Sequence, residues 1–198
     1  MEEFNKLSFA GKEIFLGYLP NHVELTSRLL YELNLGMGDL SFSHKIGGRW
    51  ENSYLPIEKV PSVRDIVRPA RDLAVNVYGK KLLALFEPPT GLDHPPFWFN
   101  LSETGDSTGV HNHARESVVS GVYYLEAPID SGDLFFRSDG EEDFSLVPKA
   151  GSVVLFPSEL RHGVRMNSSS GKRISLAFNL FAFPLPIFRE ETFGAEVA

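Results

Sequence analysis

The sequence predicts a mainly β domain, a sandwich or barrel, with helices from its N-terminal half packed outside. Three observations predict this. The second half breaks into at least six short runs rich in Val, Ile, Leu, Phe and Tyr. Clusters of Gly, Asp, Ser and Pro separate those runs, as turns separate strands. The first half holds two longer stretches in which apolar residues recur at helical spacing.

In chain order, the first helical stretch is "NHVELTSRLLYELN". Asn21 and Glu24 have the spacing of a capping box, and Val23, Leu29, Leu30 and Leu33 form its apolar face. The second is "SVRDIVRPARDLAVNVYG". Ser62 is placed to cap it and Gly79 to end it. Its apolar face comprises Val63, Ile66, Val67, Ala70, Leu73, Ala74 and Val77. Pro69 falls inside and is expected to kink or split the helix. Beyond "EPPTGLDHPP" the strand candidates are "FWFNLS", "SVVSGVYYLE", "DLFFRS", "SVVLFP", "RHGVRMN" and "RISLAFNLFAF". No flexible linker divides the chain, so residues 1–198 are expected to form one domain. Residues 1–95 would be a helical and strand elaboration, and 96–185 the core that carries the chemistry.

Composition narrows the function. The net charge is −7, so nucleic acid is a poor partner. The absence of cysteine excludes disulfides, thiolate-bound zinc, iron–sulfur clusters and a cysteine nucleophile. No stretch approaches the length of a membrane span. The mixed-charge N-terminus does not read as a signal peptide, and a cytoplasmic location is expected.

Six histidines are present. His22, His44 and His94 read as ordinary polar or packed residues. His111 and His113 differ because they are two apart. On a strand, residues i and i+2 share a face, so two imidazoles converge. A third would come from His162, just after "SVVLFP". Three imidazoles on one face of a metal leave the other face open, which is a catalytic arrangement. The alternative is three unrelated polar residues at strand ends.

"GKRISLAFNLFAF" adds to this. As a strand it places Arg173, Ser175, Ala177 and Asn179 on one face, with Ile174, Leu176, Phe178 and Leu180 on the other. A guanidinium beside a hydroxyl suits a carboxylate. A solvent-facing polar side would alternate in the same way.

These pieces together resemble the Fe(II)/2-oxoglutarate-dependent oxygenases. Their pattern is H-x-D/E, a later histidine, and then an arginine or lysine on a following strand. The sequence is most similar to members found in phages and in marine or photosynthetic bacteria. It shares their "HNH", "SGVYYL", "GSVVLFPSELRH" and "RISLAFN" elements over roughly residues 97 to 183. The resemblance implies a double-stranded β-helix, or jelly-roll, core of cupin-like type. It implies Fe(II) held by His111, His113 and His162, with 2-oxoglutarate and O2 as co-substrates. Arg173 and Ser175 would grip the distal carboxylate of 2-oxoglutarate, with further contacts from Asn179, Asn100 and Tyr124. The expected reaction turns 2-oxoglutarate into succinate and CO2 while a small molecule or a protein side chain is hydroxylated.

His113 departs from the family, which has a carboxylate there. Glu116 and Asp133 are the alternative donors. Gly47 to Pro56 is either a cover for the site mouth or a loop around a buried Trp50. Two other readings stay open. Gly105, His111, His113, Glu116 and Gly121, followed by Gly151, Pro157 and His162, resemble the cupin motifs, which would require no 2-oxoglutarate. A non-catalytic jelly-roll binding module would require no metal.

Overall fold

The computed structural model describes residues 4–43, 45–46, 49–89, 93–115 and 117–185. The chain opens with a hairpin of β1 (Asn5–Phe9) and β2 (Lys12–Tyr18). Its two-residue turn has positive φ at both Ala10 and Gly11, the twist that matches paired strands. Helix α1 (His22–Gly36) follows, then the short strands β3 (Ser41–Phe42), β4 (Lys45–Ile46), β5 (Arg49–Trp50) and β6 (Ser53–Tyr54). Helix α2 (Val63–Tyr78) leads to β7 (Leu82–Ala84). The rest is strand: β8 (Phe97–Ser102), β9 (Thr108–His111), β10 (Val119–Glu126), β11 (Leu134–Arg137), β12 (Phe144–Leu146), β13 (Ser152–Pro157), β14 (Arg161–Val164) and β15 (Arg173–Ala182).

Two antiparallel sheets form the body. The larger has nine strands, in the order β1-β2-β13-β10-β15-β8-β6-β3, with β7 also on β15. The smaller is β12-β11-β14-β9. This is the jelly-roll arrangement. The first half therefore contributes strands as well as helices: β2 extends the larger sheet by pairing with β13, Tyr18 opposite Ser152.

The larger sheet has two buried faces. Ile174, Leu176, Phe178 and Leu180 of β15 join Phe97, Phe99, Tyr123, Val153 and Leu155 beneath the helices, against Leu29, Leu33, Ile66, Val67, Ala70 and Ala74. Between the sheets, Phe9, Ile14, Leu134, Phe136, Leu146, Val154, Phe156 and Leu160 fill part of the roll. The remainder of that space is a cavity.

Neither helix receives the side-chain N-cap expected from the sequence. Asn21 sits in the left-handed region (φ 58°) and makes no side-chain cap, so the capping box with Glu24 does not form. Val23 is 70% exposed rather than on the buried face. Ser62 does not cap α2 through its side chain either. Its hydroxyl and its N–H both donate to the Glu32 carboxylate (2.5 and 3.0 Å), tying α2 to α1. Pro69 does not split α2, which runs unbroken past it. The proline lies on the exposed face, where the carbonyl it leaves unbonded meets water and the buried side of the ladder is unaffected. Gly79 ends the helix as expected, at φ 62° with its N–H on the Val75 carbonyl.

Candidate active site

The site begins with strand register. β9 and β14 are neighbours in the smaller sheet, and His111 stands directly opposite His162. His113 does not reach them by simple strand alternation, because β9 ends at His111. Just past the strand, its N–H donates to the Ser158 carbonyl (2.9 Å), and its own carbonyl accepts from the Ser117 N–H (3.0 Å). These bonds turn His113 back toward the other two.

The ligand nitrogens of His111, His113 and His162 all lie within 4.8 Å of one another. Ring centroids are 4.4 Å apart for His111–His162, 5.0 Å for His111–His113 and 5.5 Å for His113–His162. Among the described residues this is the one such cluster, and Asp133 is not part of it. Asp133 sits next to β11, where its carbonyl accepts from the Arg165 N–H. Glu116 lies outside the described residues.

The donor chemistry fits a first-row metal. His111 Nδ1 faces the Gly109 carbonyl at 2.9 Å, and His162 Nδ1 faces the Leu160 carbonyl at 2.8 Å. A carbonyl can only accept, so each Nδ1 carries the proton and each Nε2 keeps its lone pair for a metal. Burial holds the His113 and His162 imidazoles neutral. It lowers His113 to about 4, with His111 adding to the effect. It lowers His162 to about 3, with His111 and His113 adding to it and the Leu160 carbonyl opposing it. Neutral imidazole is the form that ligates.

These histidines open onto a cavity of about 470 Å³ between the two sheets. Its wall includes every residue expected from the sequence: His111, His113, His162, Arg173, Ser175, Asn179, Asn100 and Tyr124. The polar face of β15 is therefore turned inward and not to solvent. Arg173 is 2% exposed. Its Nη1 donates to the backbone carbonyls of Ser131 and Gly132. Ser175 stands between Tyr124 on β10 and Asn100 on β8, opposite both in register. The two tyrosines part as adjacent strand residues must. Tyr124 lines the cavity. Tyr123 points beneath the helices, bonded to Thr26 Oγ1 (2.7 Å) and the His22 carbonyl (3.0 Å). Burial pushes the Tyr124 hydroxyl well above its usual range, against the pull of Arg173.

The wall also holds residues that the sequence did not name individually. Trp98 lies near His113, with ring centroids 5.5 Å apart. It alternates with Asn100 on β8, which was a readable signal. Glu51, Asn52 and Tyr54 line the cavity too, so part of the Gly47–Pro56 stretch forms its wall. Gly47, Gly48 and the Trp50 side chain lie outside the described residues. Ser120, which opens the "SGVYYL" element, also lines the cavity, and nothing in the sequence assigned it a role.

A protein-family model described as "Putative 2OG-Fe(II) oxygenase" matches residues 137–179. The match is to the family that the sequence motifs resemble. It spans β12 to most of β15, including His162, Arg173, Ser175 and Asn179. The iron and 2-oxoglutarate expected from the sequence are the pair that this family's description names. No curated protein matches the chain.

Solved structures share the fold. The epimerase SnoN in complex with Fe3+, alpha ketoglutarate and nogalamycin RO is similar at TM-score 0.65 and 13% identity, over 92% of this chain and 88% of that one. A prolyl hydroxylase from Trichoplax adhaerens, in complex with a hypoxia inducible factor peptide fragment, is similar at 0.64 and 12%, over 84% and 83%. A Pseudomonas putida prolyl-4-hydroxylase is similar at 0.60 and 21%, over 85% and 92%. At these identities the likeness is one of fold.

Proposed function

We propose that this chain is an Fe(II)- and 2-oxoglutarate-dependent hydroxylase. The observation that carries the reading is one cavity lined by both a histidine triad and a buried arginine–serine pair. His111, His113 and His162 would hold the metal. When bound, iron and 2-oxoglutarate supply oxidising power from O2, with succinate and CO2 as products.

The chain's own residues do the rest. Two backbone carbonyls fix the Arg173 guanidinium at the cavity wall, where it pairs with the distal carboxylate of the co-substrate. Ser175 adds a hydroxyl, flanked by Asn100 and Tyr124. Tyr124 stays protonated and acts as a donor. Val122, Leu134, Phe156 and Ala177 supply apolar wall that keeps water from the reacting centre. A cupin-type reaction without 2-oxoglutarate leaves the Arg173 guanidinium no role toward a ligand beyond its bonds to the Ser131 and Gly132 carbonyls.

The substrate is a small molecule or a peptide side chain that enters past Glu51, Asn52, Tyr54 and Trp98. Support for both kinds comes from the SnoN and prolyl hydroxylase structures, which hold nogalamycin RO and a peptide fragment on this fold. Hydroxylation is one outcome among several for such folds, since SnoN is an epimerase. The test is succinate release from 2-oxoglutarate, dependent on Fe(II) and abolished in His162→Ala, followed by ¹⁸O₂ labelling of any product. Succinate without label in the product would remove the hydroxylase assignment.

A further inference from the structure

A line of buried hydroxyls runs from the His113 loop to Asn179. Ser117 Oγ is 2.7 Å from Ser158 Oγ, and Ser158 Oγ is 2.9 Å from Ser120 Oγ. Ser120 Oγ is 2.9 Å from Asn179 Oδ1. Ser120 and Asn179 face each other in register on β10 and β15. All four residues are at most 9% exposed. Two of these serines also hold the metal-ligand loop: Ser158 through its carbonyl and Ser117 through its N–H, both to the His113 backbone.

The chain of hydroxyls has a direction. Each serine has one proton to give. Run toward His113, the last proton would go from Ser117 Oγ to the His113 carbonyl at 3.4 Å, beyond the range of a good O–H···O bond. Run the other way, every proton has an acceptor at 2.7 to 2.9 Å: Ser117 to Ser158, Ser158 to Ser120, and Ser120 to Asn179 Oδ1. Asn179 Oδ1 is then occupied as an acceptor, and its Nδ2 is the end left to serve the cavity that Asn179 lines.

We propose that Ser117, Ser158 and Ser120 are positioning residues that lock the Asn179 amide with its NH2 group turned into the cavity, as a donor to a carboxylate oxygen of 2-oxoglutarate. This rests on the co-substrate reading above. It assigns a role to three serines outside the expected metal and co-substrate residues. It also links the loop carrying His113, which backbone bonds hold in place, to the strand carrying Arg173 and Ser175.

The test uses Fe(II)-loaded full-length protein, titrated anaerobically with 2-oxoglutarate, for Ser120→Ala, Asn179→Ala, the double variant and Ser120→Thr. Ser120→Ala is expected to weaken 2-oxoglutarate binding roughly tenfold, about as much as Asn179→Ala. The double variant should be no worse than either single change. Ser120→Thr keeps the hydroxyl and should restore affinity to within about twofold of wild type. Iron binding should not change in any of the four. Wild-type affinity in Ser120→Ala, additive losses in the double variant, or loss of iron in Ser120→Ala would each overturn the proposal. The side-chain amide NMR signals of Asn179 in the metal-free protein are the second readout, and they should shift in Ser120→Ala. If wild type takes up no 2-oxoglutarate yet those signals shift, the hydroxyl chain stands and the co-substrate reading fails. If they do not shift, the hydroxyl chain itself fails.

Discussion

His111 and His162 face one another as a register pair across β9 and β14, their ring centroids 4.4 Å apart. The pairing of two strands, rather than a flexible loop, sets this spacing. Removing either imidazole should therefore abolish stoichiometric iron binding without unfolding the sheet. His111→Ala and His162→Ala are expected to stay folded by circular dichroism and to lose iron by metal analysis. Full iron occupancy in either variant would show that the triad is not the metal site.

His113 stands where the family pattern has a carboxylate. Three neutral imidazoles leave the metal's charge for the dianionic co-substrate to cancel. His113→Asp places a negative charge at the metal and should weaken 2-oxoglutarate binding by roughly tenfold while iron is retained. Comparison of 2-oxoglutarate affinity in the two iron-loaded proteins checks this. Tighter binding in the variant would contradict the charge argument.

Acid should destabilise the metal-free protein. The folded state holds His113 near 4 and His162 near 3, whereas an unfolded histidine titrates near 6.5. Between those values the unfolded chain binds more protons, so stability rises with pH. The contribution is full above about pH 6.5 and is lost on acidification through that window. Melting of the metal-free protein from pH 7 down to 4 should show this fall, reduced in His162→Asn. Identical pH profiles for wild type and His162→Asn would refute it.

Gly132 backs the Arg173 guanidinium, its carbonyl accepting from Nη1. At φ 95°, a Cβ there would meet the Arg165 carbonyl at 2.1 Å and Arg173 Nη1 at 2.9 Å. Gly132→Ala should displace the guanidinium, cost about 1–3 kcal/mol of stability and weaken 2-oxoglutarate, with iron binding intact. Unchanged 2-oxoglutarate affinity would mean that Arg173 is not the clamp.

The adjacent tyrosines should separate stability from binding. Tyr123→Phe removes bonds to Thr26 and the His22 backbone and should cost about 1–2 kcal/mol in denaturant unfolding. It should leave 2-oxoglutarate affinity alone. Tyr124→Phe should do the reverse, and the opposite pattern would exchange their roles.

Much of this was legible in the sequence because strand alternation has a period of two. "FWFNLS", "SVVLFP" and the alternating face of "RISLAFN" fall where β8, β13 and β15 lie. Arg173, Ser175 and Asn179 share a face for that reason alone. Other features depend on contacts distant in sequence. Ser62 bonds Glu32 rather than capping its own helix, and Pro69 is tolerated because tertiary packing puts it on the exposed side. The hairpin of β1 and β2 carried a weak signal, Ala10-Gly11, and only its pairing with β13 makes it part of the sheet. His113 was expected to converge through strand geometry, but backbone bonds to Ser158 and Ser117 place it. Ser120 and Ser158 fall in the "SGVYYL" and "GSVVLFPSELRH" elements, but their linkage to Ser117 and Asn179 was not legible, because it joins separate turns and strands.

The central claim is that one cavity holds both a metal at the histidines and 2-oxoglutarate at Arg173. Anaerobic titration of Fe(II)-loaded protein with 2-oxoglutarate, in wild type and Arg173→Ala, tests it most directly. The visible charge-transfer band of the chelate should appear in wild type. In Arg173→Ala it should be lost or should require far more 2-oxoglutarate. Iron bound without any band in wild type, or the same titration curve in both proteins, would contradict the account.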